Sequence, residues 1–213
     1  MIFEDVKEVI VSSVSGKITV EEHKEDFVEV NYTIEGECDV EIKQEGEKLI
    51  IKEKPKRKKI LGIINKDLKG KADITVRVPE SVSVTASTVN GTVLIEGAKA
   101  RKITSVNGSI VLKEARVSEV STVNGGVSGS IALAEDLKVS AVNGSIGLDI
   151  EDIEGDGIVS TVNGSVRIRM SDLCDVTVIA TAVNGRIHVD DFEDGEFKLK
   201  ISTVNGSVVV ERF

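Results

Sequence analysis

The tripeptide Val-Asn-Gly returns seven times along the chain, as Asn90-Gly91, Asn107-Gly108, Asn124-Gly125, Asn143-Gly144, Asn163-Gly164, Asn184-Gly185 and Asn205-Gly206. The intervals are 17, 17, 19, 20, 21 and 21 residues. Self-similarity at such a period means one supersecondary unit stacked on copies of itself, and nothing else in the sequence restricts the fold as strongly.

Aligned on Asn, the copies share a position-specific pattern. Four residues before Asn the side chain is always apolar, from Ala86 in the first copy to Ile201 in the last. The third residue before is Ser or Thr, the second before is small (Thr88, Ser105, Thr122, Ala141, Thr161, Ala182, Thr203), and Val stands directly before Asn. Three residues after Asn comes Val or Ile, from Val93 to Val208. Alternation on both sides of a turn describes half-buried β-strands, and the repeats never sustain the period of about 3.6 residues that a helix needs.

Two all-β architectures fit this pattern. In a single-stranded β-helix, or β-solenoid, each 17–21-residue repeat is one coil, with Asn-Gly at the same corner every time and Asn above Asn in a ladder. In a β-hairpin meander, Asn-Gly is instead a type I′ turn whose central residues both take φ > 0. The meander puts the Val before Asn on the solvated face, whereas a coil corner can turn it inward onto its own copies. Stacking selects for identity at a corner, so the solenoid is preferred. On that reading Val142→Asp buries an unpaired charge and is strongly destabilising.

Residues 1–78 lack the motif but remain strand-like near 7–12, 17–21, 27–34, 38–43, 48–53 and 72–78. They read as an irregular β N-terminal cap for the seven-repeat solenoid of 79–213, because terminal repeats otherwise expose apolar surface. Ser15-Gly16 is a degenerate first corner and Glu45-Gly46 a hairpin turn. Within the cap, the loop 52–71 concentrates Lys54, Lys56, Arg57, Lys58 and Lys59 ahead of Ile60, Leu61, Ile63 and Ile64. It reads first as a solvated hairpin loop. The functional alternative is contact with an anionic surface, the cations meeting phosphates and the aliphatics wedging into the interface.

Charge and composition exclude several classes. The repeat half, 79–213, carries 12 basic and 19 acidic residues, so no basic stripe offers itself to nucleic acid. Only 3% of the chain is aromatic, which suits thin layers of β-branched side chains. The N-terminus shows no signal peptide and no run approaches a membrane span, which favours a cytoplasmic location. Cys38 and Cys174 have no metal or redox spacing and read as small buried thiols rather than as one disulfide.

The chemistry-bearing motifs are thin. Gly126-Val127-Ser128-Gly129-Ser130 breaks the nucleophile-elbow pattern at its last position, and His23 and His188 are the only imidazoles. His188 falls at an outward position. The acidic runs 149–157 and 190–196 match neither calcium-loop order and read as solvated turns. Their carboxylates Asp149, Asp152 and Asp191 would serve a carbohydrate-active enzyme only if they converged in one groove. No cofactor and no metal are expected.

The stretch ADITVRVPESVSVTASTVNGTVLIEG at 72–97, followed by the TVNGSV and SVNGSI units, resembles the "putative adhesin" β-strand-repeat family, relatives of auto-transporter adhesin head domains. The resemblance implies a β-helix-like solenoid with no assigned catalytic residues. The leading functional expectation is therefore a non-catalytic scaffold or adhesin-like interaction protein. A peripheral anionic-membrane sensor of envelope stress is the alternative, and a carbohydrate-active enzyme comes third. The last repeat runs to Phe213 without an evident cover, so a homodimer through an uncapped terminal coil or sheet edge is expected, with a protein or an anionic surface as further partner.

Overall fold

The computed structural model describes residues 1–60, 63–67 and 70–213, with the backbone alone at 55, 57–60 and 63–67. Among the described residues there is no helix, and all strands but two join one 18-stranded sheet system. The fold is all-β and solenoid-like.

The strand segments that flank each Asn-Gly pair with their counterparts in neighbouring repeats, in parallel and in register. Ile110 lies between Val93 and Val127, and Ile146 lies between Val127 and Val166. On the other side of the corner, Val120 lies between Ile103 and Val139, and Val139 continues to Val159. Parallel pairing at one-repeat offsets excludes the hairpin meander. None of the motif Asn or Gly residues has positive φ, so Asn-Gly is not a type I′ turn here. It is a corner that the chain passes in ordinary right-handed or extended conformations.

The file of repeats, hereafter rungs named by their Asn, is not in sequence order. Rungs Asn90, Asn107, Asn124, Asn143 and Asn163 follow one another, but the strand Phe197–Asn205 pairs with Gly157–Asn163 on one side and Val176–Asn184 on the other. Beyond the corner, Val208–Arg212 likewise lies between Val166–Met170 and Ile187–Val189. The final segment is thus an inner rung and the Asn184 rung is the outermost. The expectation that residues 208–213 form the uncovered end is corrected: Val208 and Val210 are fully buried, while Ile187 is 47% exposed.

Alternation explains the core. The positions four and two before Asn and three and five after it point inward. In the Asn143 rung these are Val139, Ala141, Ile146 and Leu148, all buried. Each aliphatic buried this way contributes roughly 1.5–3 kcal/mol, and parallel backbone bonds above and below carry the rest.

At the other end, Glu8–His23 forms the first rung, pairing in register with Ser83–Glu96 so that Ser15 faces Asn90 and Gly16 faces Gly91. The degenerate corner is therefore real. Its outer side is covered by Lys48–Pro55 and Gly70–Pro79 in parallel. Cys38–Glu45 and Val28–Gly36 then close the sheet antiparallel, with Gly46 at φ +61° in the predicted turn. Arg57–Ile60 and Ile63–Asp67 pair with each other in a separate two-stranded hairpin.

The invariant Val is the second correction. It continues the outward alternation and is 38–42% exposed in seven rungs, rising to 74% at Val183. A coil corner does not turn it inward, because the small residue one place earlier already fills the inside of the bend. Val142→Asp is accordingly a surface substitution. In urea denaturation it should change stability by no more than about 1 kcal/mol. A loss of several kcal/mol would show that the ridge is buried in solution.

Candidate functional site

The corner builds the most regular surface of the molecule. Asn107 donates its side-chain amide to Asn90 at 2.9 Å, Asn124 to Asn107 at 2.8 Å, and Asn143 to Asn124 at 2.8 Å. The ladder continues from Asn163 to Asn143, Asn205 to Asn163, and Asn184 to Asn205, at 2.8–2.9 Å. An amide with both donor and acceptor can pass such a chain on indefinitely, which is why Asn and no carboxylate occupies each of the seven motif rungs. The order of the ladder repeats the order of the strands, with Asn205 between Asn163 and Asn184.

Glycine follows Asn because adjacent rungs touch there. A Cβ on Gly144 would stand 1.9 Å from the carbonyl oxygen of Gly125, and one on Gly185 would stand 1.8 Å from that of Gly206. The small residue two before Asn lies beneath this contact. Thr161 and Thr203 donate their hydroxyls to the carbonyls of Gly144 and Gly164 at 2.8 and 2.9 Å.

Outside the corner run four parallel rows. In the Asn143 rung they are Ser140, Val142, Asn143 and Ser145, and the same positions elsewhere hold Ser, Thr, Val, Asn and one Gly, with Arg186 the exception in the outermost rung. The remaining outward surface is instead laced with ion pairs between rungs. Lys102 meets Glu119 at 3.0 Å, Lys113 meets Glu96 at 3.3 Å, and Arg169 grips Asp149 through two bonds of 2.7 and 2.5 Å. In a chain with 30% charged residues, a face without charge over six motif rungs stands apart.

At the first rung, where Ser15 stands in the Asn column, an unforeseen residue closes the corner. Glu53 is 7% exposed, and its Oε2 accepts from the Ser13 hydroxyl at 2.6 Å and from the backbone N–H of Val14 and Ser15 at 2.8 and 2.9 Å. It occupies the place of a missing neighbouring corner. The signal was present as alternation: Ile51 and Glu53 share an inward phase, while Lys52 and Lys54 point out. The surrounding lysines concealed it.

The basic cluster gives less. Lys54 is exposed and paired with Glu41. The Lys56 backbone N–H donates to the Glu37 carbonyl at 3.2 Å. The side chains of Arg57, Lys58 and Lys59 lie outside the described residues, as do Leu61 and the side chains of Ile60, Ile63 and Ile64. No described contact converts the segment into an anionic-surface site.

The acidic runs cap backbone. Asp152 accepts from the Ile153 N–H at 2.8 Å, Asp156 from Lys198 at 2.9 Å, and Asp190 from Arg212 at 3.1 Å. Asp149 is held by Arg169, and Asp191 follows the Asn184 rung, three rungs from Asp149. Among the described residues no cluster of three metal-ligating side chains forms. His188 is exposed and lies 3.5 Å from Asp190. Both cysteines are free and buried. Desolvation pushes the Cys174 thiol up to about 11 and raises that of Cys38, which keeps both protonated and unreactive at neutral pH.

A family model described as Toastrack DUF4097 matches residues 6–212. The chain belongs to the Toastrack DUF4097 family. The match spans the cap as well as the repeats, so the Toastrack domain includes the first rung and the strands that cover it. A search of curated proteins finds no match to this Toastrack chain. Among solved structures it is similar to a "putative cell adhesion protein" from Clostridium sporogenes, at 11% identity and a TM-score of 0.44, over 99% of this chain and 94% of that one.

Proposed function

We propose that the chain is a single-stranded β-helix of Val-Asn-Gly rungs that acts as a non-catalytic, adhesin-like interaction scaffold, meeting a protein partner through its corner face. The observation that supports this reading is the contrast between an uncharged corner and a charged remainder. Interface centres are depleted of charge, and a contiguous apolar strip of some hundreds of Å² on a soluble surface marks a place of contact. Here the valines supply the strip, while the Asn ladder and the Ser/Thr rows supply hydrogen bonds at its margins. Stacked rungs about 4.8 Å apart hold these groups without the ordering cost that a loop-built site incurs.

The test compares three proteins: wild type, Val106→Lys/Val123→Lys/Val142→Lys, and a control with Lys102→Glu and Lys138→Glu on the charged surface. Beads coated with each are assayed for retention on cultured cells and on immobilised surface proteins, after circular dichroism confirms equal folding. Retention should fall at least tenfold for the triple variant and persist for the control. Equal retention by all three sinks the corner-face reading. Turnover of any substrate in a polysaccharide panel would overturn the non-catalytic one.

A further inference from the structure

The stack is finished at one end and open at the other. In the inner Asn205 rung the inward residues Leu199, Ile201, Thr203, Val208 and Val210 are at most 3% exposed. Their counterparts in the Asn184 rung are Val178, Ala180, Ala182, Ile187 and Val189, none of which is buried. Among the described residues, Val176–Asn184 and Ile187–Val189 each pair with a strand on one side only. The start of this edge has a partial cover: the Val178 N–H donates to the Phe192 carbonyl at 3.0 Å, and Phe192 is buried with the Arg212 guanidinium 4.2 Å from its ring centre. From Ile179 to Val189 the rung has no described cover.

Exposed strand edges are normally blunted with charge, proline or bulges. The edge at the opposite end shows this protection, since Cys38–Glu45 carries Asp39, Glu41, Lys43 and Glu45 on exposed positions. The Asn184 edge shows much less. Ile179, Thr181 and Val183 lie outward on it, with 43% and 74% exposure at Ile179 and Val183, and Arg186 is its one strong charge.

We propose that a second copy of this chain covers the Asn184 rung, edge to edge about a two-fold axis. A head-to-tail arrangement would set this apolar edge against the charged Cys38–Glu45 edge and would propagate into a filament. A two-fold arrangement sets like against like and closes. The area suffices for a modest dimer. About ten uncovered residues at ~3.3 Å each, across a sheet ~10 Å thick and with the open interior between the two arms, give roughly 500 Å² per copy. The total of about 1,000 Å² is at the lower limit for a specific interface, in the range of weak and reversible contacts. This inference does not depend on the corner-face reading, because it uses the end of the stack rather than its side.

Sedimentation velocity of the whole chain from about 1 to 100 µM tests it. Wild type should pass from monomer to dimer and stop there. Val183→Lys, at the most exposed hydrophobic side chain of the edge, should shift the midpoint at least tenfold upward with an unchanged melt at low concentration. Ile187→Lys should do the same, and Val142→Lys on the corner ridge should remain dimeric. Wild type that stays monomeric at 100 µM overturns the proposal, as does growth into species larger than a dimer. A Val183→Lys protein that dimerises like wild type also overturns it.

Discussion

Gly144→Ala should lower stability by on the order of 4 kcal/mol, while Gly147→Ala in the same rung should be neutral or slightly stabilising. The added methyl at 144 would stand 1.9 Å from the Gly125 carbonyl oxygen and 2.5 Å from its carbon, both backbone atoms of the adjacent rung. Nothing flexible can give way. Two rungs would have to separate by more than an ångström, straining the Asn143–Asn124 bond and the backbone bond from the Asn143 N–H to the Val123 carbonyl. At 147 a Cβ meets nothing within 4 Å, so the chief effect is reduced freedom of the unfolded chain. For a protein of this size the difference corresponds to roughly 8–16 °C in Tm. Similar melts for the two variants would mean that the rungs are not in contact at the corner.

Glu53→Ala should cost about 3 kcal/mol, and Glu53→Gln about 1 kcal/mol. Alanine leaves the Ser13 hydroxyl and the N–H groups of Val14 and Ser15 without their acceptor. Unsatisfied buried donors cost about 1–3 kcal/mol each, and access of water to the half-exposed Val14 corner tempers the sum. Glutamine keeps an acceptor in place but loses the charge assistance. Equilibrium urea unfolding of the three proteins measures this directly. If Glu53→Ala melts like wild type, the carboxylate is an ornament of the cap rather than the end-piece of its corner.

The sequence made the repeat architecture readable because stacking acts position by position: the same residue recurs wherever neighbours must match. The Asn ladder, the inward columns and the Ser15-Gly16 corner were all open to inspection in that way. The orientation of Val was not, since an outward valine and an inward one leave the same identity behind when both touch their own copies. Asn-Gly kept the hairpin meander open as an alternative for a related reason. Its usual meaning rests on positive φ, whereas here Gly answers to a carbonyl 1.8–2.2 Å from where its Cβ would be. The place of the Asn205 rung had no signature, because rungs spaced 21 and 21 residues apart are equally able to lie in either order. Glu53 needed the strand phase of a segment whose lysines drew attention elsewhere.

The inserted position of residues 197–213 has a consequence for synthesis on the ribosome. When the chain has emerged only as far as Val189, the slot that its last segment will fill is vacant, and the Asn184 segment carries the same motif as that missing neighbour. Until residues 197–212 are in place, the Asn184 rung lacks both of the strands it pairs with in the finished fold.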